Sequence, residues 1–177
     1  MSDAAGRFTA AFQRHHLQVY AYALRRVDEA SAHDVVAETF LAAWRHIDRL
    51  PEDPLPWLYR TAGYCVANQG RGSRRQARLA GRMVAAAEVT APDHADTVVE
   101  ASRLHAALAE LNAADREALL LVAWEGLDHR AAAFAAGCSA ATFRVRLYRA
   151  RRRLARLLRE APSPHARLPL AASFEEM

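Results

Sequence analysis

The sequence predicts an all-α fold of two small helical domains joined by a flexible linker. Three observations carry this expectation. Strand signals are nearly absent, and apolar residues recur instead at steps of three and four, the spacing that stacks side chains on one face of a helix. Two such helical stretches flank a Gly-, Arg- and Ala-rich segment with an Ala-Pro-Asp break. Positive charge is gathered in one place: eight arginines and a single acid fall between Cys138 and Glu160, about +7 in a 177-residue chain whose formal total is +4.

The first domain, residues 1–72, carries three helical patterns at roughly 7–27, 33–47 and 54–70. Ser31 with Asp34 approximates a capping box for the second. Asp53 followed by Pro54 suits the start of the third, because proline at the first helical position loses no needed hydrogen bond. In the second helix Val36, Phe40, Ala43 and Ile47 follow helical spacing toward a core, while Asp34 and Glu38, four apart, form an acidic ridge. Residues 73–96 read as the linker, across which the domains are expected to move independently.

The second domain, residues 97–160, carries four helices, with Asn112 and Asp115 marking the second start and Gly126 its end. Asp128 can cap the short helix HRAAAFAAG, and Gly137 can end it by taking a left-handed conformation at no steric cost. Ser139 can then cap the long basic helix. There Phe143, Leu147, Ala150, Leu154, Leu157 and Leu158 fill an arc about 100° wide, leaving the rest of the circumference to arginine. Short helix, glycine turn and capped basic helix form a helix-turn-helix layout whose second helix enters the major groove. On this reading Arg144, Val145, Tyr148 and Arg149 reach base edges, and Arg146 and Arg151 to Arg153 mainly meet phosphates. Residues 161–177, with Pro162, Pro164 and Pro169, read as a C-terminal tail.

Charge argues for positioned binding rather than coating. Residues 1–72 balance eight arginines against eight acids, and residues 97–137 hold three arginines and six acids, before the basic helix reverses the sign. No lysine occurs, as a GC-rich genome would favour. Two cysteines in separate segments, with no visible signal peptide, point to a cytoplasmic protein without a structural disulfide. No apolar run approaches the roughly 18 residues needed to span a bilayer, so membrane insertion is not expected. Scattered histidines lack a ligand spacing, so no metal or other cofactor is expected. No phosphate loop, nucleophile elbow or acid–base pair supports an enzyme. Trp44, Trp57 and Trp124 read as packing residues.

The segments themselves carry a resemblance. DVVAETFLAAWRHID, Asp34 to Asp48, resembles the region 2.2 helix of bacterial RNA polymerase sigma factors, in particular the extracytoplasmic-function group. PLPWLYRTAGYCVANQGRGSRR, Pro54 to Arg75, resembles their regions 2.3 and 2.4, and Leu111 to Leu154 resembles region 4. The resemblance implies an alternative sigma factor that bridges polymerase and promoter. Asp34, Glu38, Thr39 and Leu41 would dock on the β′ clamp helices of core RNA polymerase, and region 4 would meet the β flap. Asn68 and Arg60 would face the −10 element, Arg71, Arg74 and Arg75 would hold phosphates beside it, and the loop 48–56 would receive a base flipped from its stack. Thr142, Arg144, Val145, Arg146, Tyr148, Arg149 and Arg152 would take the −35 element. An anti-sigma factor is a further partner in such systems. Four positions depart from the pattern: Ala37 and Tyr64 replace a polar residue and asparagine, and Ala131 and Phe134 stand where acids are usual, leaving Phe134 an apolar surface that a partner could cover. The rival readings are a stand-alone helix-turn-helix regulator and a degenerate sigma-like interaction protein.

Overall fold

The structure, a computed structural model, describes residues 2–80 and 95–160, with side chains over 3–70 and 100–160. Among them run seven α-helices and no strand: α1 (Ser2–Leu24), α2 (Glu29–Arg45), α3 (Leu55–Ala80), α4 (Ala95–Ala109), α5 (Ala113–Ala123), α6 (His129–Ala135) and α7 (Ala140–Glu160), with a 3-10 turn at Ile47–Arg49.

Helix starts follow hydrogen-bond chemistry. Asp28, not Ser31, caps α2: its carboxylate accepts from the Ser31 amide at 2.9 Å and from the Ser31 hydroxyl at 3.0 Å. Those bonds hold the Asp28 carboxyl below the usual carboxylate range, and α2 therefore begins earlier than the spacing of Ser31 and Asp34 suggests. Leu55 opens α3, its amide donating to Asp53 at 3.3 Å. Asn112 caps α5 by accepting from the Asp115 amide at 2.8 Å. Gly126 and Gly137 take φ of 67° and 66°, the left-handed conformation that closes α5 and α6.

The first domain packs α1 and α3 on either side of α2. Val35, Phe40 and Ala43 of α2, Val19 and Ala23 of α1, and Leu58 and Ala62 of α3 are buried. Phe8, Phe12 and Phe40 meet at ring separations of 4.9 to 6.3 Å, edge to face across α1 and α2. Trp44 joins this cluster at 5.3 Å from Phe8 yet stays half exposed. In the second domain Phe143, Leu147 and Ala150 are buried against Ala118, Leu119 and Leu121 of α5 and Ala132 and Ala133 of α6. The alanines let α6 cross α7 closely.

One expectation needs correction. Helix α3 runs on to Ala80, past the expected end near 70, so the first part of the expected linker is helical; residues 81–94, which hold the rest of it up to the start of α4, lie outside the described residues, as does the tail 161–177. The two domains also touch one another. Helix α3 packs along α6, the end of α1 meets α5, and one buried cluster runs through both. The physical reason lies in side chains that local sequence does not pair, described below.

Because Phe143 is wholly buried at the centre of the second domain, Phe143→Ala is expected to cost about 3–5 kcal/mol. Thermal unfolding followed by circular dichroism measures this. A loss below about 1 kcal/mol would show that α7 does not depend on this side chain.

Candidate nucleic-acid interface

The helix-turn-helix is assembled by three caps in succession. Asp128 accepts from the amides of Arg130 and Ala131, both at 2.8 Å, and starts α6. After Gly137 the chain turns, and Ser139 accepts from the Thr142 amide at 3.1 Å to start α7. The Thr142 hydroxyl is bonded back to Ser139 at 2.8 Å, which orients it at the head of the helix.

With Phe143, Leu147 and Ala150 turned inward, α7 presents Thr142, Arg144, Val145, Tyr148, Arg149 and Arg152 to solvent. An open groove runs beside Val145, Tyr148, Arg149, Arg152 and Arg156. Tyr148 and Arg152 support one another, the guanidinium donating to the hydroxyl at 3.5 Å. Arg146 is half buried and lies 3.9 Å from the Cys138 sulfur, at the margin of the packed stripe as its spacing predicts. Arg153 donates to the Glu110 carbonyl at 3.3 Å, which ties the middle of α7 to the end of α4. Within α7 the ion pair between Arg156 and Glu160, at 3.8 Å, is exposed on both sides. The helix thus keeps most of its positive charge for a polyanion.

On α3, Arg60, Tyr64 and Asn68 lie four apart on one face, with Tyr64 and Asn68 exposed. Arg71, Arg74 and Arg75 continue the helix, beyond the described side chains. This face is not bare. The Arg60 guanidinium sits 5.0 Å from the centre of the Phe134 ring, and a β-carbon at Gly137 would lie 3.9 Å from both Arg60 and the Tyr64 hydroxyl. The helix-turn-helix therefore covers part of the surface expected to face the −10 strand, and Phe134 meets Arg60 of its own chain.

On α2, Asp34, Glu38 and Leu41 are exposed at helical spacing. Thr39 is not: its side chain is 0 % exposed, pointing with Val35 and Ala43 into the core. It stands on the opposite side of the helix from the acidic ridge and is removed from the expected polymerase contact. Cys65 lies beneath the same helix, and burial, reinforced by Glu38, pushes its thiol up to about 11, well above neutral pH.

A set of charges that sequence spacing misses joins the domains. Arg26, in the turn after α1, donates to both carboxylate oxygens of Glu117 at 2.8 and 3.1 Å and to Glu125 at 3.1 Å. It also donates to the Tyr22 carbonyl at 2.8 Å and lies 3.5 Å over the Tyr22 ring. Arg25 forks onto Glu125, and the Tyr22 hydroxyl donates to Glu117 at 2.9 Å. The side chains of Arg26 and Glu125 are only 7 % and 1 % exposed. The available signals were the Arg25-Arg26 pair ending a helix and two glutamates eight apart. Neither names the other as its partner.

Among the described residues no cluster of histidine, cysteine and carboxylate can hold a metal ion. No described helix is long and apolar enough to cross a membrane.

Comparison with known proteins matches both domains in order. A family described as sigma-70 region 2 matches residues 11–76, and one described as sigma-70, region 4 matches 101–154. The RNA polymerase sigma factor NccH of Alcaligenes xylosoxydans xylosoxydans is 30% identical over 147 residues, covering 76% of this chain and 77% of that protein. The ECF RNA polymerase sigma factor SigL of Mycobacterium tuberculosis is 29% identical over 161 residues, 88% of this chain and 91% of its own. Among solved structures, the sigma factor RpoE of Bartonella quintana, in complex with the anti-sigma factor NepR, superposes with a TM-score of 0.71 at 24% identity over 88% of this chain and 98% of that one. CnrH, in complex with the cytosolic domain of CnrY, gives 0.62 at 25% over 91% and 96%.

Proposed function

This chain belongs to the extracytoplasmic-function RNA polymerase sigma factors, alternative factors that bind core polymerase and direct transcription initiation at promoter DNA, and we propose how its own residues divide that work. Residues 1–72 with the continuing α3 act as region 2, residues 97–160 as region 4, and the segment between them as the tether. The observation that carries the reading is the exposed, capped and largely unpaired basic face of α7, with Asp34, Glu38 and Leu41 exposed on the other domain.

In this reading Asp34, Glu38 and Leu41 meet the β′ clamp helices, and region 4 rests on the β flap. Arg60 and Asn68 face the −10 element, with Arg71, Arg74 and Arg75 against phosphates. Thr142, Arg144, Val145, Tyr148 and Arg149 read the −35 element: arginine can donate two hydrogen bonds to guanine, and Val145 can touch a thymine methyl. Arg146 and Arg152 hold the backbone. The work is binding and positioning, with no catalytic group and no cofactor, in the cytoplasm. An anti-sigma protein is a further partner, as in the complexes of the sigma factor RpoE and of CnrH.

Run-off transcription with core polymerase tests the whole reading. Addition of this chain is expected to start transcripts at promoters that core alone ignores, and no promoter-dependent product would refute the assignment. Reversing Asp34 and Glu38 to arginine is expected to weaken core binding about tenfold or more with helicity unchanged, since both are exposed and only the charge complement is lost. Unchanged affinity would take them out of the interface.

The face of α7 gives a sharper outcome. Arg149→Ala is expected to cost about 1–3 kcal/mol on the preferred −35 duplex and to relax the choice of base. Arg152→Ala should weaken all duplexes alike and flatten the salt dependence. Titrations on matched and mismatched duplexes at several salt concentrations measure both. Equal losses on both duplexes for Arg149→Ala would show that the reading face lies elsewhere.

A further inference from the structure

We propose that the segment 161–177 folds back along α7 and seats Phe174, Glu175 and Glu176 in the groove beside Tyr148, where it competes with DNA for the reading face. The inference rests on the reading of α7 as the helix that binds DNA. It goes beyond that reading by giving the groove a second occupant from the same chain.

The groove has the chemistry for such a segment. Val145 and Tyr148, 51 % and 61 % exposed, supply apolar surface, with Arg149, Arg152 and Arg156 beside them. Its volume of 660 Å³ has room for several side chains. Among the described residues neither Arg149 nor Arg152 makes an ion pair. Apolar surface next to unpaired cations suits an apolar segment that carries acids. The chain supplies one beyond α7: LPLAASFEEM, Leu168 to Met177, runs from apolar to acidic, and Glu175 and Glu176 are the only acids after Glu160. A guanidinium can donate two hydrogen bonds to a carboxylate, and Phe174 can lie against the Tyr148 ring or a guanidinium plane.

Chain geometry allows the return. Pro162 and Pro164 disfavour a further turn of α7, because proline lacks the amide that a helix interior needs. Glu175 follows Glu160 by 15 residues, an extended reach of about 50 Å. Arg149 lies 11 residues back along the helix from Glu160, about 17 Å. The surplus leaves slack for the chain to reverse direction. Tethered this closely, the segment faces the groove at a roughly millimolar effective concentration, so a contact with a dissociation constant of about 1 mM covers it half the time. DNA binds only the uncovered chains, and its apparent affinity falls by that fraction.

Two variants of the full chain test this, and neither alters a residue of the described helices. Glu175→Gln with Glu176→Gln removes the anions, while Phe174→Ser removes the ring and leaves the charge unchanged. The Nε–Hε resonances of the arginines, in an NMR spectrum of isotope-labelled protein, read the groove. Fluorescence anisotropy reads binding of a short fluorescein-labelled duplex of mixed sequence. Both variants are expected to shift the Arg149 and Arg152 resonances at native helicity and to leave that of Arg14, on α1, in place. Both should also tighten duplex binding at low salt about twofold or more, the gain when at least half of the wild-type chains are covered. Unmoved Arg149 and Arg152 resonances would overturn the docking. Moved resonances with unchanged duplex affinity would overturn the competition. A gain for the glutamine pair with none for Phe174→Ser would reduce the effect to net charge and overturn the seating of Phe174. Resonances that move with protein concentration would give the groove to the tail of a second copy and overturn the fold-back. Arg149→Ala alone, in the same duplex titration, tests the α7 reading, so failure of the tail and failure of that reading remain distinguishable.

Discussion

A guanidinium that is almost wholly buried must find acceptors for its donors, and Arg26 finds all but one of them in a different domain. Its nitrogens are shared among Glu117, Glu125 and the Tyr22 carbonyl. That requirement fixes the angle at which the end of α1 meets α5. It also fixes α3, because Tyr22 stacks on Tyr59 at 5.0 Å and needs the space left by Gly63. Burial raises the Tyr22 hydroxyl above its ordinary range, Arg26 pulls the other way and Glu117 raises it again, so the group stays a hydrogen-bond donor. Tyr59 is pushed up to about 12 by the same burial. Removing one partner would strand a charge without water, which is why these five residues act as a unit.

Helix α7 solves the opposite problem. Its buried stripe is apolar and its exposed face carries seven of its eight arginines, so packing and positive charge do not compete for the same side chains. Its start is set by Ser139 rather than by an acid, and its intrahelical acid, Glu160, sits at the far end. Positive charge there therefore stays available over the first turns, where Arg144, Tyr148 and Arg149 stand. The acids that would neutralise it are spent elsewhere: Glu117 and Glu125 are turned toward α1.

What the sequence made legible was local. Asp128, Gly137 and Ser139 do what their types and spacing indicate, and the Phe143 stripe is buried as its period requires. The acidic ridge of Asp34 and Glu38 is exposed as expected. Thr39 was legible from its register, since Val35, Thr39 and Ala43 lie four apart and are buried together, whereas the resemblance alone sets it beside Asp34 and Glu38. At the start of α2 two capping patterns overlap within four residues, and hydrogen-bond geometry chooses Asp28. The meeting of the domains was not legible at all. Arg26 and Glu117 are 91 residues apart, and no periodicity relates a turn after one helix to a face of another.

The same limit explains why Phe134 looked anomalous in sequence and does not in space. The resemblance places an acid at this position in related chains. An acid here would form an ion pair with Arg60, partly desolvated, and would hold the two domains together more firmly. An aromatic ring offers the cation a weaker and less directional partner, on the order of 1 kcal/mol. Phosphate oxygens and base faces can replace that contact with charge-assisted hydrogen bonds or stacking. The firm contact between the domains is then left to the buried cluster at the end of α1 and on α5, while the contact of Phe134 with Arg60 stays weak. Separating the strong contact from the Arg60 face lets the two domains be held together without an ion pair at Arg60.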